Sequence, residues 1–426
     1  MALVEYFAPF YSGGGYCSEA FAFAFAMTLY NMTLILRHHG DSHNRDFIEG
    51  LTNKERHLLE HNDGSLSYIP SINKEQRKFT IVICHSEPGA WHAPYPKYHT
   101  SRCPPTNANY KIGRTMFETD TIPNGWETRL NYMDEIWVPT AFAQEIFINN
   151  GVNASKIRVV GEPIDTDFYM PVDITPSTLS SLPSSASPLS SLIKFKNEDK
   201  FIFLFVGKWE NRKGVRILLR AFFTEFNEAD DVILTIVTSA YHSTSDFIGE
   251  IRKTLSLESL SVSETMLKKL LIITSVRQIH MPLLYNLANV LVIPSHGEGW
   301  GRPHVEAMSS GTPVIATYWS GPTEFLTNEN GYPLNQTGLI PTPDWEGHKW
   351  ANPSEVHLRN LMKHVYDNPD EAKQKGMIAR NDMISKFSLL KMGKAIHDEI
   401  DRIHKYLEKR VKSKARQPTA TLWKEL

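Results

Sequence analysis

The sequence predicts an α/β protein built from two doubly wound, parallel-sheet domains. Three observations carry that prediction. Short apolar runs rich in β-branched and aromatic residues recur along both halves of the chain. Each run is followed by a stretch with helical patterning, and strands that alternate with helices read as parallel sheets with crossover connections. A segment rich in Ser, Pro and Leu separates the two series.

In the first half the expected strands are Leu3–Phe7, Thr33–Arg37, Phe79–Cys84, Ile136–Pro139 and Ile157–Val160. In the second they are Phe201–Val206, Val232–Val237, Leu270–Thr274, Val290–Pro294 and Pro313–Ala316. Several are continuously apolar, as expected for strands covered on both faces. The run Ala20–Tyr30 is too short to span a bilayer and is followed by Asn31 and Arg37, so it reads as a buried helix. The stretch Thr175–Ile193 has the composition of a linker or surface insertion. From Leu389 to Val411, Ile396, Ile400, Ile403 and Leu407 fall three or four apart, the spacing of one helical face. The basic turns that follow suit a helix C-terminus. The expected division is 1–174, a linker or insertion over 175–198, a second domain over 199–400, and a helix and tail over 401–426.

Composition excludes several classes. A formal charge of −2 gives no broad electrostatic reason to bind nucleic acid or anionic membrane. Three cysteines, Cys17, Cys84 and Cys103, none in a Cys-x-x-Cys pair, suggest neither a disulfide framework nor a zinc ribbon. A reducing compartment is the simpler reading. The first residues lack a basic n-region and apolar core. The expected setting is therefore cytoplasmic, with no membrane span.

The stretch from Pro294 to Ala316 is the most informative. It leaves an apolar strand, passes through Gly297, Gly299 and Gly301, and enters a helix near Pro303. Proline suits a first helical turn, where its missing N–H would have been unpaired anyway. Glycines let backbone approach a ligand, and free N–H groups at a helix start attract phosphate. Glu298 in the loop and Glu306 in the helix offer carboxylate acceptors for paired sugar hydroxyls. A second loop, after Phe201–Val206, carries Lys208 and Lys213, whose ammonium groups would neutralise a leaving diphosphate. Taken alone, that loop reads as a solvated basic turn.

This pattern resembles the glycosyltransferases of family 4, which have the GT-B fold. Their signature is two glutamates with seven residues between them, preceded by Pro-Ser and followed by Glu-Ala-x-x-x-Gly-x-Pro-Val-Ile-Ala. Here Pro294-Ser295, Glu298, Glu306-Ala307, Gly311 and Pro313 to Ala316 match it in order. Gly207-Lys208 and Lys213-Gly214 match the family's basic motif. The resemblance covers nearly the whole chain, strongest from Phe201 to Leu326. It implies that Glu306 holds the nucleotide ribose and that Glu298 contacts the transferred sugar. Gly299, Trp300, Gly301 and Arg302 would line sugar and diphosphate, with Lys208 and Lys213 on the phosphates. In the first domain Gly14 and Gly15, after the first strand, become donor contacts, and His85 a catalytic-site contact with the donor sugar. Glu118 and Asp120 are acceptor-side candidates.

The resemblance further implies two Rossmann-like domains across a cleft, a C-terminal helix crossing back to the first, and a retaining, metal-independent hexosyl transfer. The donor would be a nucleotide diphosphate sugar, UDP- or GDP-linked, with no cofactor; the acceptor and oligomeric state are not specified. The pair Asp165 and Asp167 imitates a metal-binding Asp-x-Asp, but its place just ahead of the linker reads as structural. The rival readings are a GT-B-fold protein that binds nucleotide or glycan without catalysis, a glucan synthase or phosphorylase-like enzyme, and, most remotely, a dehydrogenase. The last lacks a strand-anchored Gly-x-Gly-x-x-Gly with a following acid.

Overall fold

The computed structural model describes residues 3–62, 79–174, 188–239, 246–258 and 260–415. Two six-stranded sheets form the frame, and every pairing within them is parallel. The first sheet contains β1 (Leu3–Ala8), β2 (Thr33–His38), β3 (Thr80–His85), β4 (Tyr110–Arg114), β5 (Glu135–Val138) and β6 (Ile157–Val159), in the order β2-β1-β3-β4-β5-β6. The second contains β7 (Phe201–Val206), β8 (Val232–Val237), β9 (Leu270–Ile273), β10 (Val290–Ile293), β11 (Val314–Thr317) and β12 (Tyr332–Leu334), in the order β12-β11-β10-β7-β8-β9. This is the expected pair of doubly wound domains.

Strand order reverses between β1 and β3 in one sheet and between β7 and β10 in the other. Such switch points open crevices at the carboxyl ends of the strands. The loops that leave β7 and β10 are those that carry Lys208, Lys213 and Glu298, so topology brings the two motifs together.

The first helix, Gly15–Thr28, is apolar on all sides, which a helix tolerates only when it is covered all round. One side lies on the first sheet. The other receives the C-terminal helix, Leu389–Ala415, which crosses back from the second domain. Ile396, Ile400, Ile403 and Leu407 all enter the first domain's core, each contributing on the order of 2 kcal/mol by burial. Tyr30 donates from its hydroxyl to the Leu390 carbonyl at 3.0 Å, fixing the helix start. Among the described residues no helix is long and apolar enough to cross a membrane.

The structure differs from the sequence reading in five places, the first being the edge strand β12, whose three residues make no apolar run. β4 was not foreseen, because Tyr110-Lys-Ile-Gly-Arg114 has no apolar run; its Arg114 is fully buried by pairing with Glu19. An antiparallel hairpin, β13 (Gln336–Pro341) and β14 (Lys349–Pro353), was also unforeseen. Of the Ser/Pro-rich segment, residues 175–187 lie outside the described residues, while Ser190–Asn197 is a helix whose Leu192, with the preceding Leu189, packs into the second core. Cys84 and Cys103 form a disulfide that closes the loop after β3, leaving Cys17 as the free, buried thiol. Spacing alone did not reveal that pair, and the cysteine count therefore gives no support to a reducing compartment.

Candidate functional site

Glu298 sits at the centre of the site. It follows β10 in the loop ahead of the helix Arg302–Ser309, and it is buried. The ammonium of Lys213 donates to both its oxygens at 2.8 Å, and Arg212 donates to Oε2 at 3.0 Å. Burial alone would raise its pKa, but Lys213 and Arg212 outweigh that effect and hold the carboxyl down at about 2. Its own N–H is taken by the Ser320 hydroxyl at 2.9 Å.

Local backbone explains why the cations reach it. Gly214, at φ +71°, ends the turn that carries Arg212 and Lys213, and any Cβ there would lie 1.9 Å from the Pro294 carbonyl oxygen. Only glycine lets the β7 loop press this closely on the β10 loop. Lys208 stands partly buried in the same loop; burial, with Lys213 and Arg212 adding, lowers its pKa. Glu210, in the same loop, and Asp41, in the loop after β2 of the first domain, oppose that shift.

Glu306 occupies the second turn of the helix. Tyr285 donates to its Oε2 at 2.7 Å, and Arg302 Nε stands 3.9 Å from its Oε1. Trp300 is buried against Phe325 and Phe387. Gly301, at φ +122°, turns the chain into the helix. His304, missed from the sequence, is wholly buried beside Glu298; burial lowers its pKa to about 4, although Glu298 opposes the shift. Arg212 was missed too: it neighbours the motif lysine, and nothing in a basic turn distinguishes one cation from the next.

The first domain contributes otherwise than expected. Gly14 caps the first helix, and neither it nor Gly15 meets an obstacle closer than 3.7 Å at the Cβ position, so the start of that helix is open. His85 is held within the first domain. It ends β3 as expected, but its side chain is wholly buried and both ring nitrogens are engaged, Nδ1 with the Tyr6 hydroxyl at 2.5 Å and Nε2 with Glu19 at 2.9 Å. Glu19 also receives Arg114 at 2.6 Å. Burial would raise the Glu19 pKa, but Arg114 and His85 hold it at about 2. Tyr6 and Glu19 thus occupy both ring nitrogens of His85 from within the first domain.

Glu118 and Asp120 both meet the second domain. Glu118 crosses the cleft to Arg212 at 3.2 Å, and burial raises its pKa. Asp120 accepts from the Lys349 N–H at 2.7 Å and donates its own N–H to the Lys349 carbonyl at 3.0 Å. Thr119 bonds His348 at 2.8 Å, and Phe117 meets the Trp345 ring edge-on. The hairpin thus straps the first domain to the second. Behind it, Gly297 and Gly299 lie where a Cβ would strike the Glu118 carbonyl oxygen at 2.2 Å and the Met116 sulfur at 2.3 Å. Asp165, of the Asp-x-Asp imitation, is paired with Lys54 at 2.5 Å and accepts from the Phe168 N–H at 3.1 Å.

Buried carboxylates ringed by cations, on two loops at a topological switch point, make a site for a ligand rich in phosphate and hydroxyl oxygens. Comparison with known proteins agrees with that description. Residues 191–351 match the family described as "Glycosyl transferases group 1". An uncharacterized glycosyltransferase of Methanocaldococcus jannaschii is 30% identical over 174 residues, 40% of this chain and 41% of that one. An alpha-1,3/1,6-mannosyltransferase of Candida albicans is 25% identical over 301 residues, 62% of each chain. The chain thus spans less than two thirds of these relatives' own length. The crystal structure of Anabaena HepE with UDP and glucose superposes with a TM-score of 0.66 at 14% identity, covering 94% of this chain and all of that one. The match to the glycosyl transferases group 1 family is confined to residues 191–351, and the two sheets have the GT-B arrangement.

Proposed function

We propose that this protein is a nucleotide-sugar-dependent glycosyltransferase that moves a hexosyl group with retention of configuration and without a metal ion. The observation that carries the reading is the cluster of Lys213 and Arg212 on Glu298, within the matched domain and at the β7/β10 switch point. The cations satisfy the carboxylate. A bound diphosphate takes them over, and Glu298 is released toward the sugar beside it.

In this scheme Lys208, Arg212 and Lys213 neutralise the departing nucleoside diphosphate, the part a metal ion would otherwise play. Glu306 accepts from the ribose hydroxyls, and N–H groups at the start of the helix Arg302–Ser309 meet phosphate oxygen. The bond between the anomeric carbon and the diphosphate oxygen breaks as the acceptor oxygen bonds to the same face of that carbon. The acceptor's proton passes to the leaving diphosphate. UDP binding by HepE and the mannosyltransferase name of the Candida relative support a UDP- or GDP-linked hexose as donor.

The test is a donor panel. Release of UDP, GDP or ADP is measured from their hexose conjugates, with and without a glycan or polyol acceptor, and with chelator present. Acceptor-dependent release that is insensitive to chelator, with an axial linkage from an axial donor by NMR, supports the reading. Nucleotide binding without turnover by any donor would leave a binding protein instead.

A further inference from the structure

Two donor-loop residues reach past the donor site to the joint between the domains. The chain crosses from first to second domain through Gly161–Ile164 and returns through Phe387–Leu389. These two crossings are hydrogen-bonded to each other: Ile164 N–H to the Phe387 carbonyl at 2.8 Å, Leu389 N–H to the Ile164 carbonyl at 3.1 Å. Trp300 lays its ring 5.3 Å from the Phe387 ring and 3.4 Å from the Cβ position of Gly161. Arg302 Nη1 donates to the Pro163 carbonyl at 2.7 Å and stands 3.5 Å from Glu162.

The same guanidinium turns its Nε toward Glu306 Oε1, at 3.9 Å, and Nε has no hydrogen-bond partner. Arg302 and Glu306 are one turn apart on one face of the helix. Arg302 thus stands between two buried carboxylates, Glu162 at 3.5 Å on the crossing and Glu306 at 3.9 Å on its own helix. A shift of the guanidinium by under about 1 Å would bring Nε into hydrogen-bond range of Glu306. Arg302 lies between the interdomain crossing and the acid assigned to the ribose.

We propose that Arg302 is a positioning residue: anchored on Pro163 at the interdomain crossing, it aims the Glu306 carboxylate at the nucleoside ribose when the domains close. This rests on the reading of the cleft as a nucleotide-sugar site. Arg302 touches no reacting atom. It acts through Glu306 and transmits the state of the joint to nucleotide affinity.

The test is a double-mutant cycle on the full chain. Dissociation constants for UDP and GDP are measured by calorimetry for the wild type, Arg302→Met, Glu306→Gln and the double variant, with donor KM and kcat in parallel. Arg302→Met is expected to weaken binding about tenfold or more in the wild-type background and by less than about twofold beside Glu306→Gln, since a residue acting through another has nothing left to lose. Donor KM should rise more than kcat falls, and amide exchange at Ile164 and Leu389 should quicken without nucleotide. Equal losses in both backgrounds, or no loss in either, overturn the assignment. If Arg302→Met does not fold, Arg302→Lys decides by the same cycle, because it keeps the charge and loses the reach to both partners. A wild type that binds neither UDP nor GDP overturns the nucleotide-sugar reading itself, whereas a wild type that binds and an Arg302→Met that binds as well overturn only the positioning role.

Discussion

The Lys213 ammonium lies 2.8 Å from each oxygen of the Glu298 carboxylate, joining the loop after β7 to the loop after β10. Both side chains are largely buried, so the pair is costly to break from one side. Lys213→Met should lower stability by about 1 to 3 kcal/mol, with Arg212 still compensating part of the charge. Differential scanning calorimetry checks it. An unchanged melting temperature would mean that the pair is solvated.

Acid should unfold the protein in two stages. His39 and His304 are buried, and burial lowers both pKa values to about 4. Unfolding returns them to about 6.5, so the unfolded chain binds more protons. Stability is therefore full above pH 6.5 and falls as pH drops toward 4, by on the order of 3 kcal/mol per histidine. Glu298, held at about 2, adds a second loss that starts near its unfolded pKa, about 4.5, and runs down toward 2. Denaturant midpoints from pH 3 to pH 8 read both stages. For His304→Phe the upper stage should shrink by one proton, and a flat profile above pH 4.5 would contradict the burial argument.

Closure of the cleft depends on missing side chains. A methyl group at Gly297 would meet the Glu118 carbonyl oxygen at 2.2 Å, and that atom is backbone, so it cannot swing aside. Gly297→Ala should hold the domains apart, seen as a larger radius of gyration in X-ray scattering. Transfer activity should fall at least about tenfold through lost alignment. An unchanged radius with full activity would show that the loop shifts to accommodate the methyl.

The hairpin strap makes a local prediction. Asp120→Ala removes the acceptor for the Lys349 N–H, at a cost of about 1 kcal/mol. Proteolysis between β13 and β14 should then accelerate, while Asp120→Asn, which keeps the oxygen, should behave as wild type. Equal cleavage of all three would remove Asp120 from the strap.

Cys84 and Cys103 are joined, so protein purified without reductant and then denatured should titrate one thiol, Cys17. Three thiols would return the chain to the reducing setting that its cysteine count first suggested.

How much of this was legible in the sequence depended on how local each cause is. The strands Phe201–Val206 and Val232–Val237 are covered on both faces, so their apolar runs are unbroken and their bounds were read without error. β4 escaped because its last residue, Arg114, is neutralised by Glu19 from a different element, which no local pattern records. The same holds for His85. Its position at a strand end was readable, but its partners Tyr6 and Glu19 arrive from β1 and the first helix. Glu298 and Lys213 were readable because the loop motifs are ordered and long, and the switch point between β7 and β10 does the rest. The contacts of Glu118 with Arg212 and of Asp120 with Lys349 were not legible, since both partners come from the other domain, far along the chain.

The central claim is that the cations around Glu298 form a diphosphate site. Calorimetric titration of UDP and GDP into the wild-type protein and into Lys213→Met tests it most directly. Saturable 1:1 binding of at least one nucleotide, weakened about tenfold or more in the variant at equal salt, is the predicted result. Binding of neither nucleotide by a folded wild type, or equal binding by both proteins, would contradict it.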